Sequence, residues 1–197
     1  MAKRVKLFFI TNHRQTYFKK VMLSTLATMK VVDHAIKGGN KEICGYLVGF
    51  AKKNVFYVLD AVEIPIIGTD SRVEIAGQMG DKAHEYTMKF MDILEKVGRE
   101  QKYVGWYHSH PGFGCWLSGI DCNTQKMMQM VNKTFFALVV DPFRTLSNRK
   151  VELGCFMCYQ EGIVVKSALS ESIPHNRSEV NKFNIRILES TLANIIS

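Results

Sequence analysis

Two periods of apolar spacing alternate along the chain, and each change of period marks an element boundary. Residues 17–37 carry apolar side chains at helical spacing, Val21, Leu26, Met29, Val32 and Ile36 among them. Gly38-Gly39-Asn40 ends that run, so a helix is expected there, with Ser24 or a residue before it as its cap. Residues 41–50 and 54–64 read as two strands joined by the polar turn 51–54, a hairpin. An irregular loop opens at Pro65, and helical spacing returns over 78–97 until Gly98 closes it. Residues 102–110 form an apolar strand, and Gly112-Phe113-Gly114 is a bend suited to positive φ. A short methionine-rich helix is expected over 119–131, with Met127, Met128 and Met130 as core filler. Residues 135–141 and 150–159 read as strands separated by a turn over 142–149. A last amphipathic helix is expected over 178–196, with Val180, Phe183, Ile187, Leu192 and Ile195 on its stripe. Residues 1–16 are basic and aperiodic, an arm with at most an edge strand through 7–10. The chain thus divides into an arm over 1–16, one domain over 17–165, and a linker with its helix over 166–197.

Composition narrows the classes without choosing among them. With 197 residues, 47% apolar and 22% charged, the chain can bury a proper core. No run approaches the ~18 apolar residues of a membrane span, and residues 1–10 lack the apolar stretch of a secretory signal. Five cysteines without such a signal fit reduced thiols. Cys155 and Cys158 form a CxxC, but inside a strand-like run that turns the two thiols to opposite faces. A zinc deaminase needs His-x-Glu with Pro-Cys-x-x-Cys, and neither half is present. The formal charge of +8 is spread along the chain with no nucleic-acid-reading module, so it equally suits an acidic protein partner. The tightest basic cluster, Lys3-Arg4-Val5-Lys6, reads as a solvated tail or as a nuclear-import patch.

The chemistry concentrates in residues 105–121, GWYHSHPGFGCWLSGID. Side chains two apart on a strand share a face, so His108 and His110 project together and Ser109 points away. Two imidazoles on one rigid face make half of a zinc site, and Asp121 can add a carboxylate oxygen. Three protein ligands leave a fourth position open for water, which separates a catalytic zinc site from a structural one. Each feature also has a plainer reading. Paired strand histidines serve as ordinary polar residues, and Ser118-Gly-Ile-Asp121 fits a helix capping box ahead of 122–130. A helix start can do both, capping itself while presenting its aspartate. Glu42, alone at the opening of an apolar strand, is either a solvent-facing end residue or a catalytic carboxylate.

The pattern His-Ser-His-Pro, six residues, Ser, two residues, Asp resembles the signature of the JAMM (MPN+) metalloproteases, which remove ubiquitin or ubiquitin-like modifiers. Every fixed position of that signature is present, and the likeness runs over residues 17–159. The resemblance implies an α/β fold, the MPN (cytidine-deaminase-like) domain, with a mixed, mostly antiparallel β-sheet flanked by helices over 17–165. It implies Zn2+ held by His108, His110 and Asp121, with Glu42 as proton carrier and the Ser118 hydroxyl as an oxyanion donor. A narrow groove around 112–116 would favour diglycine, and the cysteines would be bystanders. KGGNKE (37–42), GTDSRVE (68–74) and DPFRTLSNRKVELG (141–154) lean towards the deneddylating, COP9-type branch of the family over the proteasome-lid deubiquitinases.

The substrates so implied are conjugates of a ubiquitin-like modifier, NEDD8 on cullins, or ubiquitin on the alternative. Implied partners are other MPN and PCI subunits of a multisubunit complex, in cytoplasm and nucleus, with no nucleic acid and no membrane. That branch carries a longer helical C-terminal region than the residues that follow 159 here. Its first insertion matches the loop 65–77, where Asp70 would cover the zinc and gate the isolated chain. The reading from another class is a metal-free MPN scaffold, but scaffolds of that type usually lack one or more ligands, and here the set is complete.

Overall fold

A computed structural model describes residues 20–53, 55–65, 78–158 and 180–188, the side chains of 78–84 and 180–188 excepted. The elements run β1 (Lys20–Ser24), α1 (Thr25–Gly38), β2 (Cys44–Lys52), β3 (Val55–Glu63), α2 (Gln78–Lys96), β4 (Lys102–Ser109), α3 (Gly119–Val131), β5 (Phe136–Val140), α4 (Pro142–Asn148), β6 (Leu153–Cys158) and β7 (Val180–Leu188). The strands close into a barrel in the order β1-β3-β2-β4-β5-β6-β7. Antiparallel pairs join β2 to β3 and β4, and β6 to β5 and β7. Parallel pairs join β1 to β3 and β7, and β4 to β5. The sheet is therefore mixed and mostly antiparallel, flanked by helices, as expected of an α/β domain. Among the described residues no helix is long and apolar enough to cross a membrane.

Strand β4 stands at the centre, and its two faces meet different layers. Tyr107 joins the main core with Ala27, Val31 and Ala35 of α1 and with Leu47, Phe56 and Leu138 of the sheet. Trp106 joins a second cluster with Phe135 and Ala137, against which Met128 of α3 packs. Pairing of β4 with β2 jumps from Leu47↔Gly105 to Val48↔Tyr103, which leaves Val104 as an extra residue. Such a bulge reverses the alternation of side chains on its two sides. Tyr103 before it and Trp106 after it thus pack in the same cluster, while Val104 and Tyr107 share the other.

Three expectations are corrected. The first helix begins at Thr25 and not at 17, because Lys20–Ser24 is a strand with alternating burial whose inward residues are Val21 and Leu23. Ser24 caps α1 by accepting from the Ala27 N–H at 3.0 Å, and Gly39, at φ 62°, ends it. The stretch 142–149 holds a helix, not a turn: Asp141 accepts from the Arg144 N–H and Pro142 sits at the first position. The segment 180–188 is a strand and not part of a helix, paired with β1 and β6. Phe183, Ile185 and Ile187 alternate with Asn184 and Arg186, a period of two that the wider helical stripe concealed. The expectations for residues 1–19, the gating loop 66–77 with Asp70, residues 159–179 and the helix end 189–196 lie outside the described residues.

Candidate metal centre

The centre is assembled by β4, the first turn of α3 and the segment that links α1 to β2. His108 is the penultimate residue of β4 and His110 follows the strand, and both are within 3% of full burial. Their Nε2 atoms lie 3.1 Å apart. Asp121 is the third residue of α3, and its Oδ2 stands 3.4 Å from Nε2 of His108 and 3.4 Å from Nε2 of His110. The three atoms form a nearly equilateral triangle. Ligands about 2.0–2.1 Å from a tetrahedral zinc stand about 3.4 Å from each other. Two imidazole lone pairs and a carboxylate oxygen converging on one buried point are satisfied by a cation or by shared protons, and the donor set is one that zinc takes. Among the described residues this is the one group of three or more such side chains with metal-holding geometry.

The capping and metal readings of Asp121 hold together. The Ser118 N–H donates to Asp121 Oδ2 at 2.7 Å, and the Asp121 N–H donates to Ser118 Oγ at 3.2 Å, a complete capping box. The oxygen that receives the Ser118 amide is the one that faces both histidines, so the helix start aims the ligand. Burial pushes the His108 imidazole below its ordinary value despite the pull of Asp121, which leaves it neutral with a lone pair to offer. For Asp121 burial works upward, but where the imidazoles carry the shared protons, their hydrogen bonds, the charge of a protonated His108 and the Ser118 bond outweigh it and hold the carboxyl well below the usual range. The Nδ1 atoms of both histidines have no hydrogen-bond partner among the described residues. Aromatic rings orient them instead. Trp106 stacks on His108 with centroids 4.6 Å apart and planes 14° apart, and Trp116 meets His110 edge-on at 5.1 Å.

Glu42 approaches the triangle at His110. It precedes β2, is 93% buried, and its Oε1 lies 3.9 Å from His110 Nε2. The solvent-facing reading of Glu42 is thereby excluded. The pairing Cys44↔His108, continued past the strand end, sets Glu42 opposite His110.

Sequence reasoning missed four supporting residues. Gln125, one turn after Asp121 and fully buried, accepts from Trp106 Nε1 at 2.7 Å and donates to the Phe135 carbonyl at 2.7 Å. Asp141, fully buried, accepts from the amides of Gly112 at 3.0 Å and Gly114 at 2.7 Å, whose φ values are 84° and 80°. It thereby fixes the bend between the histidines and Ser118. Trp106 orients a ligand ring, and Ser109 accepts from the Ile43 N–H at 3.0 Å. The i, i+4 spacing from Asp121 to Gln125 and the Asp-Pro helix start were the signals available in the sequence.

A barrel of mixed strands with helices on both sides, carrying a His-x-His strand and an aspartate at a facing helix start, defines the class. Residues 16–134 match the family model described as JAB1/Mov34/MPN/PAD-1 ubiquitin protease, and the chain belongs to that family. It is similar to COP9 signalosome complex subunit 5 of Drosophila melanogaster, 46% identical over 74% of this chain and 43% of that protein. It is likewise similar to COP9 signalosome complex subunit 5 of Neurospora crassa, 41% identical over 83% of this chain and 49% of the relative. The chain spans about half the length, or somewhat less, of the curated relatives it matches. The solution structure of protein DSY2949 from Desulfitobacterium hafniense shares the fold at TM-score 0.59 and 14% identity, over 86% of this chain and 94% of that one.

Proposed function

We propose that this chain is the catalytic core of a zinc-dependent isopeptidase that removes a ubiquitin-like modifier, NEDD8 on cullins, from a lysine side chain. The observation that supports it most is the buried triangle of His108 Nε2, His110 Nε2 and Asp121 Oδ2 with Glu42 beside it. The relatives are named COP9 signalosome complex subunit 5, which supports a place among the subunits of such a complex; NEDD8 as the modifier, and cytoplasm and nucleus as the location, belong to the same proposal. His108, His110 and Asp121 would hold the zinc, which when bound supplies Lewis acidity that brings the pKa of a water near neutrality and polarises a carbonyl.

The chain's own residues carry the remaining steps. Glu42 accepts a proton from the attacking water and delivers it to the lysine amine as the isopeptide C–N bond breaks. Its burial excludes bulk water that would otherwise compete for that proton. The Ser118 hydroxyl, which accepts from the Asp121 amide through a lone pair, donates its own hydrogen to the carbonyl oxygen as charge builds there, a task worth about 3 kcal/mol. Asp141 keeps the bend at Gly112 and Gly114 in one shape, which holds the groove for the modifier's C-terminal diglycine.

Cleavage of lysine-linked NEDD8 and ubiquitin, measured side by side on the chain in its assembled complex, tests the reading. Faster release of NEDD8, abolished by a zinc chelator, is expected. Thiol alkylation should leave the rate unchanged, since no cysteine belongs to the metal triangle and burial pushes the thiol of Cys44, two residues after Glu42, up to about 12. Preference for ubiquitin would instead favour a deubiquitinase, and neither zinc nor cleavage would favour a scaffold.

A further inference from the structure

Ser109 lies between the two histidines, and the metal cradle makes no use of it. Strand alternation turns it away from the ligands, and it is fully buried. Its Oγ accepts from the Ile43 N–H at 3.0 Å, and its own N–H donates to the Ile43 carbonyl at 3.0 Å. The Ile43 N–H belongs to the peptide unit that leaves Glu42. The hydroxyl therefore restrains the backbone torsion that aims the Glu42 side chain. β2 begins only at Cys44, so Glu42 lies outside the strand proper. Lys41, before it, is held by its N–H to the Gly38 carbonyl at 3.1 Å. Glu42 is thus suspended between the end of α1 and a latch on the ligand strand itself. Ser109 thus ties the ligand strand to the segment of the base through both its hydroxyl and its backbone N–H, and its own backbone neighbours are His108 and His110.

We propose that Ser109 is the positioning residue for Glu42: its buried hydroxyl, by holding the Glu42–Ile43 peptide, keeps the Glu42 carboxylate beside His110, at the edge of the triangle of metal ligands. The proposal rests on the isopeptidase reading above, in which Glu42 moves the proton. Alanine would leave a buried N–H without its acceptor, and that peptide would turn to find another. Displacement of a catalytic group by about 1 Å costs about 100-fold in rate.

The test compares Ser109→Ala, Ser109→Thr, Ser109→Cys and Glu42→Gln in the assembled complex, with kcat, KM, zinc content and hydrogen exchange at the Ile43 amide as readouts. Ser109→Ala is expected to lower kcat about 10- to 100-fold with KM within about twofold. Zinc content should stay at the wild-type level, and the Ile43 amide should exchange faster. Ser109→Thr, which restores the hydroxyl, should recover most of kcat. Ser109→Cys keeps the volume with a weak acceptor, so it should lose kcat as alanine does, and it serves if the alanine variant does not fold. Wild-type kcat in Ser109→Ala and Ser109→Cys, with Glu42→Gln inactive, would overturn this proposal alone. Loss of zinc together with kcat would also overturn it, since Ser109 would then only brace the ligand strand. Near-normal turnover in Glu42→Gln would bring down the underlying reading of the site.

Discussion

The two faces of β4 are equally buried and do opposite work. On one, Trp106 and His108 meet α3 and carry the lone pairs and rings of the metal cradle. On the other, Tyr107 packs into the main core against α1 and the sheet, and Ser109 latches the segment before β2. Tyr107 is fully buried over Gly45, where an added Cβ would run into its ring and the Val62 carbonyl. The first face is held by hydrogen bonds and stacking, the second by close van der Waals contact around Tyr107 together with the hydrogen bonds of Ser109 and of the Tyr107 hydroxyl. Each residue step along the strand therefore alternates between chemistry and anchorage, and a rigid anchor lets three ligand atoms sit within 3.4 Å of each other. Variants on the two faces should fail in different ways.

The largest effects belong to the chemical face and its opposing carboxylate. Asp121→Asn removes a charged ligand while keeping shape and part of the cap, so zinc should be lost, and with it the stability that metal binding supplies, while the metal-free variant should lie within about 1 kcal/mol of the metal-free wild type. Glu42→Gln should keep the metal and lower turnover about 10²- to 10⁴-fold. Zinc analysis and single-turnover hydrolysis on both variants separate the roles. Full zinc in the first, or near-wild-type turnover in the second, would merge what the structure divides.

The packed part of the anchoring face, around Tyr107, should break through stability. Gly45→Ala forces either the Tyr107 ring or the β2–β3 backbone to move, at a cost of about 3 kcal/mol, and should leave zinc affinity of the folded fraction near wild type. Chemical unfolding and zinc titration read the two quantities. A change in zinc affinity as large as the change in stability would mean that the faces are not separable.

Much of the chemical face was legible in the sequence, because it is written in residue types with few alternatives. His108, His110, Ser118 and Asp121 sit in a fixed pattern, and the period of two put both histidines on one side. The supporting residues were less legible for a physical reason. Ser109, Gln125 and Asp141 act through backbone amides and an indole, groups every chain has, so their partners appear only when the fold brings distant segments together. The misread elements have a similar origin. Lys20–Ser24 and Val180–Leu188 are short strands next to or inside longer apolar runs, where periods of two and 3.6 share many positions. Their pairing with β3, β6 and each other decides the matter, and that is not local information.

Gln125 offers a subtler cut on the chemical face. Gln125→Leu keeps volume but strands the Trp106 indole N–H and the Phe135 carbonyl in a buried layer, which should cost about 2 kcal/mol. The Trp106 ring would then be free to tilt off His108, so zinc should bind more weakly as well, by about tenfold. Denaturant unfolding and competition with a chelator measure both. Lost stability with unchanged zinc affinity would move Gln125, and Trp106 with it, to the anchoring side of the comparison.

The smallest effect sharpens the anchoring face through pH. His34 of α1 lies edge-on to Tyr107 at 5.9 Å, with Nδ1 2.9 Å from the phenol oxygen. Burial pushes its imidazole below the ordinary value; Glu63 and Asp33 pull the other way, and Lys37 adds to the lowering. The unfolded chain then binds a proton near pH 6.5 that the folded chain does not yet accept. Stability contributed by neutral His34 is therefore full above about pH 6.5 and is lost as pH falls through the lower folded value. His108 is shifted in the same direction by burial, so the wild-type slope alone does not isolate His34. The difference between wild type and His34→Gln does, because the glutamine keeps a polar partner for Tyr107 and cannot titrate. Wild type should lose more stability than His34→Gln between pH 7 and pH 5, while metal loss on acidification is common to both and cancels. Parallel pH profiles in urea unfolding would show that His34 is protonated as readily in the folded chain as in the unfolded one, and that the α1 side of β4 is looser than its packing against Tyr107 implies.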